Sequence, residues 1–157
     1  MSDPQTLPQG TSFADQAHAY DPVAQPQLFA GVIGKRSMAF IVDAIIVLAL
    51  VFLFGIVTLG LGWVLLPAIF LVFIAYNAIT IGGAKSATLG QRLMGLEARM
   101  WYGRKVSPLI AAFHALLFWF AAGTFVLWLV DVFWAFFDQR RRCAHDILAG
   151  LVVINRT

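Results

Sequence analysis

The chain has 157 residues, 61% of them hydrophobic and only 12% charged, with a mean hydropathy of +0.82. A water-soluble domain carries about 25% charged residues, so this chain lacks the polar groups to cover its apolar surface and reads as an integral membrane protein. Its net charge of +3 and pI near 9.4 lie in the flanks of apolar segments, not in a basic helix or an aromatic-studded strand. That excludes nucleic acid as the expected partner and leaves anionic lipid headgroups.

Residues 1–28 are rich in Gln, Pro, Ala and Ser and hold Asp3, Asp15 and Asp21 but no Lys or Arg. They predict a disordered tail, without the basic and apolar regions of a signal peptide. A membrane domain over 29–154 follows, leaving 155–157 as the C-terminal end. Its first helix is expected over 39–61, interrupted in its apolar character by Asp43 alone. "TLGLGW" (Thr58–Trp63) is uncharged and reads as a tight turn with Trp63 as an interface anchor. A second helix is expected over 63–81, with Pro67 near its start, where a helix tolerates proline.

Gly82–Pro108 is a polar connection holding Lys85, Arg92, Arg99, Arg104 and Lys105 against only Glu97. Within it "GLEARMWYGRKV" predicts a strand that turns at Tyr102-Gly103. Leu109–Phe137 supplies 29 mostly apolar residues. The tail "DQRRRCAHDILAGLVVINRT" contains "LVVI", a β-branched run suited to a strand. That run is expected to pair with Leu96–Trp101 in a small cytoplasmic cap. The single cysteine, Cys143, rules out an internal disulfide and reads as an incidental cytoplasmic thiol.

Charge decides the topology. Lys35/Arg36, the 82–108 connection and Arg140–Arg142 are basic, whereas Thr58–Trp63 is uncharged. The positive-inside rule then places both termini and the long connection in the cytoplasm. The stretch 109–137 must therefore enter and return. Two halves, 109–122 and 124–137, would each reach only ~21 Å at 1.5 Å per residue, short of the ~30 Å hydrocarbon core. The expected fold is all-α and integral to the cytoplasmic (inner) membrane of a bacterium. It has two full transmembrane helices plus a re-entrant or short helical hairpin, the alternative to the hairpin being one long third span.

On that topology Asp43, Asn77, His114 and Asp131 share a depth of ~6–9 Å from the cytoplasmic side, with Tyr76 and Thr80 as lesser members. Such a layer either hydrogen-bonds the helices together or forms a proton or cation site. Arg36 and Asp43, at i and i+7, lie on one helix face but are poorly placed to pair directly. Asp138 and Asp146 are the expected partners of Arg36, through a bidentate pair that pins the C-terminal segment to the first helix. Arg142, His145, Arg92 and Lys85 are candidates for ion pairs or headgroup contacts.

Other chemistry is poorly supported. "GGAKSAT" (82–88) has Ala84 where a phosphate loop needs glycine. Only three histidines exist, one in the tail, so no multi-histidine metal site and no cofactor is expected. No Ser/His/Asp arrangement stands out, and no enzyme is expected.

Three stretches in order resemble the RDD family of small membrane proteins, named for one arginine and two aspartates. "KRSMAFIVDAIIV" is similar to its first helix, matching Arg36 and Asp43. "TLGQRLMGLEA" (Thr88–Ala98) resembles its TLGK-R-x-x-G-L segment, with Gln91 in place of the usual lysine. "RRRCAHDILAGLVVI" resembles its R-x-x-L-H-D-x-x-A-G-T-x-V ending, carrying over Arg142, His145, Asp146, Ala149 and Gly150, with Asp146 as the second aspartate. The resemblance implies transport of ligands, or of cations against protons. The expected function is transport of ions or small ligands by buried carboxylates, in a homo-oligomer or with another membrane protein. The alternative is a non-transporting accessory or scaffold protein that binds membrane proteins or headgroups.

Overall fold

The computed structural model describes residues 19–156. The expectation of disorder for residues 1–18 lies outside them. The described chain is mostly helical, with a small sheet at one end. Helix α1 spans Val32–Val57, after a 3-10 turn at Pro26–Leu28. A 3-10 stretch at Leu61–Ala68 leads into α2, Ile69–Ile81. The polar connection contains α3, Leu89–Leu93, and β1, Leu96–Met100. Then come α4, Pro108–Ala122, α5, Phe125–Phe137, α6, Ala144–Ala149, and β2, Leu151–Asn155.

Each boundary has a local cause. Helix α1 begins seven residues before the expected start, because Lys35 and Arg36 belong to its first turns instead of preceding it. It ends at Val57, where Thr58 Oγ1 donates back to the Phe54 carbonyl and accepts from Gly62 N–H. Leu59 and Gly60 then take left-handed backbone. The second apolar segment is divided between 3-10 and α geometry, unlike the single helix expected over 63–81. Among the described residues one helix is long and apolar enough to cross a membrane, and α2, α4 and α5 are shorter apolar helices.

The stretch 109–137 divides at Gly123-Thr124 into α4 and α5. Ser107 caps α4, its Oγ accepting from Ile110 N–H, and Pro108 follows at the first helical position, where its missing N–H costs nothing. Both α4 and α5 pack against α6 and against each other.

Strands β1 and β2 pair antiparallel, from Leu96 opposite Asn155 to Met100 opposite Leu151. The turn after β1 uses Gly103 at positive φ, as the Tyr102-Gly103 signal predicted. Side chains alternate across the sheet. Leu96, Ala98, Met100, Leu151 and Val153 join Val32, Ile81, Val106 and Ala111 in one core. Val152 and Ile154 face the other way and are covered by Leu28, Phe29 and Tyr20.

That second cover includes Tyr20 and Leu28, which precede the expected start of the membrane domain at residue 29. Tyr20, Leu28 and Phe29 pack on the sheet because Val152 and Ile154 offer an apolar face that would otherwise be wet. Asn155 also belongs to the fold: its amide donates to the Gln27 and Ala30 carbonyls and its oxygen accepts from Lys35 Nζ at 2.6 Å.

The surface inverts the pattern of a water-soluble protein. Phe137 is 84% exposed and Ile45 61%, whereas Asp146 is 0% and Asp131 3% exposed. Apolar side chains turned outward and charges turned inward suit a lipid surrounding.

Candidate functional site

Two polar clusters occupy the interior. The first is built on Asp43. Its carboxylate accepts from Tyr76 OH at 2.6 Å, Thr88 Oγ1 at 2.6 Å and Gly90 N–H at 2.7 Å. Thr88 begins α3 through a reciprocal cap: its Oγ1 accepts from Gln91 N–H, and Gln91 Oε1 accepts from Thr88 N–H. Gly90 lets the loop approach, since a Cβ there would collide with the Ala39 carbonyl and stand 2.9 Å from Asp43 Cγ. Asp43 thus holds the connection against α1 and α2.

The second cluster gathers α1, α4, α5 and α6. Asp146 Oδ2 accepts from Arg36 Nη1 at 2.5 Å and from Cys143 N–H at 2.8 Å. Its Oδ1 lies 2.8 Å from His114 Nε2 and 3.5 Å from His145 Nε2. His145 Nδ1 stands 2.6 Å from Asp131 Oδ2, and Asp131 Oδ1 accepts the backbone N–H of His145 at 2.7 Å. The rings of His114 and His145 are 4.6 Å apart, with Phe118 edge-on to His145. All but Arg36 are buried, and Arg36 is largely so.

Burial alone would raise the Asp146 carboxyl, but Arg36, His145 and His114 hold it well below the usual carboxylate range. Burial pushes the Cys143 thiol up to about 12. Cys143 starts α6, and its backbone N–H is satisfied by Asp146, three residues on. It is therefore a buried part of this cluster, not the incidental thiol the sequence suggested.

The expected single layer resolves into these two clusters. Asp43 meets the connection. His114 and Asp131 do not touch each other but meet through His145 and Asp146. Asn77 donates to the Phe73 carbonyl of its own helix, and Thr80 does the same to Tyr76. Of the two expected carboxylates, Arg36 meets Asp146, through one nitrogen and one oxygen instead of a bidentate fork. Asp138 is taken by Arg142, whose Nε and Nη2 reach its two oxygens at 3.0 and 2.9 Å. Arg92 donates to the Ala87 carbonyl, and Lys85 is exposed.

His145, expected among ion-pair or headgroup contacts, pairs with Asp131 and Asp146 at the centre of the second cluster. The low histidine count argued against a multi-histidine metal site, and the fold sets His114 and His145 side by side. Thr88 carried a readable signal, a threonine followed three residues later by glutamine.

The family model described as RDD family matches residues 30–150. No curated protein and no solved structure matches the chain.

Proposed function

The chain belongs to the RDD family, and from that premise we propose that it is an ion transporter of the cytoplasmic membrane, not an enzyme. The cluster of Arg36, His114, Asp131, His145 and Asp146 is its cation-binding centre. One observation carries the reading. Two carboxylates are buried with a single guanidinium, among helices whose outer faces are apolar. Such a set of buried ionisable groups, with two histidines against the carboxylates, is costly in a membrane and is characteristic of ion pathways. Basic flanks support a cytoplasmic location for both termini and the connection. So few helices enclose a pathway most simply as a homo-oligomer.

A second reading is a non-transporting accessory or scaffold protein. It is favoured by Asp43, whose three donors all come from its own chain and lock the connection in place.

Reconstitution separates the two. Purified protein in liposomes loaded with a pH-sensitive dye is challenged with sodium, potassium or divalent-cation gradients. The transport reading expects cation-driven flux that Asp131→Asn reduces at least about tenfold. Absence of flux under every gradient would favour the accessory role.

A further inference from the structure

We propose that His114, His145 and Asp146 form a binding site for a transition-metal dication of the zinc class, with Asp131 as the positioning residue. The proposal rests on the reading of this cluster as a cation centre and names the ion class.

Three donor atoms converge. His114 Nε2 and His145 Nε2 both face Asp146 Oδ1, at 2.8 and 3.5 Å, and all three atoms lie within 4.8 Å of one another. A tetrahedral zinc ion with ligands at ~2.0–2.2 Å separates its ligand atoms by roughly 3.3–3.5 Å. Small side-chain rotations therefore convert the present spacing into a three-ligand face with a fourth position for water.

The surroundings are those of a ligand set. Metal-bound imidazoles characteristically hand their second nitrogen to a carboxylate, which fixes the tautomer and aims the free nitrogen. His145 does this: Nδ1 is engaged by Asp131 Oδ2 at 2.6 Å, leaving Nε2 directed at Asp146. Asp146 is divided in the same way. Arg36 and Cys143 N–H occupy Oδ2, so Oδ1 alone is presented to the imidazoles. The Nδ1 atom of His114 is buried without a partner. That nitrogen can carry the ring proton when Nε2 gives its lone pair to a metal, the metal then replacing the present contact of Nε2 with Asp146 Oδ1. With both imidazoles neutral, Asp131 and Asp146 against Arg36 leave one formal negative charge, which favours a cation. Imidazole and carboxylate together suit zinc and its neighbours better than calcium or magnesium.

The test is titration of the full-length protein in detergent with CoCl2 and ZnCl2. Cobalt is followed by visible absorption and zinc by competition against it. The expected result is one cobalt per chain with the intense absorption of a tetrahedral site, displaced by zinc. His145→Asn and His114→Asn abolish it, His18→Ala leaves it unchanged, and Asp131→Asn keeps the stoichiometry but weakens binding about 10–100-fold. If His145→Asn does not fold, His114→Asn and Asp131→Asn still decide. Cobalt binding that survives in His114→Asn overturns the proposal, as does absence of a tetrahedral spectrum in the wild-type protein. Binding is read without flux. Metal bound with no transport in liposomes removes the transport reading and keeps the site, and transport of other cations with no cobalt bound does the reverse.

Discussion

Asp43 and Asp146 are both buried carboxylates, yet their partners differ in kind. Asp43 is held by neutral donors from the connection and α2, and Asp146 by a guanidinium and two imidazoles. Asp43→Asn keeps the shape but turns an amide NH2 toward groups that also donate. The expected loss is about 2–4 kcal/mol, read as a lower melting temperature in detergent and lower abundance in the membrane, with cation binding at the second cluster retained. Asp43 was legible in the sequence as a charge that needed a partner, because nothing apolar could accept it. Which partner it finds was not legible. The choice of Thr88 and Gly90 depends on a loop folding back onto α1, 45 and 47 residues away. The burial of His145 was not legible for the same reason: it comes from α4 and α5 closing around it, and no local pattern records that.

At the scale of elements, the turn between α5 and α6 is built on Asp138. Its carboxylate accepts the backbone N–H of Arg140 and Arg142 and the Arg142 side chain. Burial would raise this carboxyl, but the Arg142 hydrogen bonds and charge, with the backbone N–H of Arg140, hold it below the usual value near 3.8. A carboxyl held low contributes its stability in full at neutral pH and loses it as the pH falls through the depressed value. The melting temperature is expected to fall below pH 3.8 more steeply in the wild-type protein than in Asp138→Asn, in melts run from pH 7 to pH 3. Element types were largely readable here. Runs of apolar residues marked α1, α2, α4 and α5, and β-branched residues marked β2. Boundaries were less so: the 3-10 stretch at Leu61–Ala68 has the same apolar composition as the helix after it, and composition carries no information on which hydrogen-bond pattern wins.

At the scale of the molecule, the sheet is the joint between the helices and the segment before them. One face joins α1, α2 and α4, and the other lies under Tyr20, Leu28 and Phe29. Replacing Leu28 and Phe29 together by serine uncovers Val152 and Ile154. The expected cost is about 3–5 kcal/mol, measured as a fall in melting temperature in detergent. A Gln- and Pro-rich segment gave no sign of this role, since its few apolar residues matter only once the far end of the chain offers them a surface.

The Arg36–Asp146 contact joins residues 110 positions apart. A ribosome adding about 5–20 residues per second needs roughly 5–20 s to cover that distance. Throughout this interval the nascent first helix carries its guanidinium without its counter-ion, and β1 waits for the strand that completes it. Insertion of this protein therefore includes a vulnerable period set by translation speed, in which a chaperone, a protease or an anionic lipid can reach Arg36 before its own aspartate does.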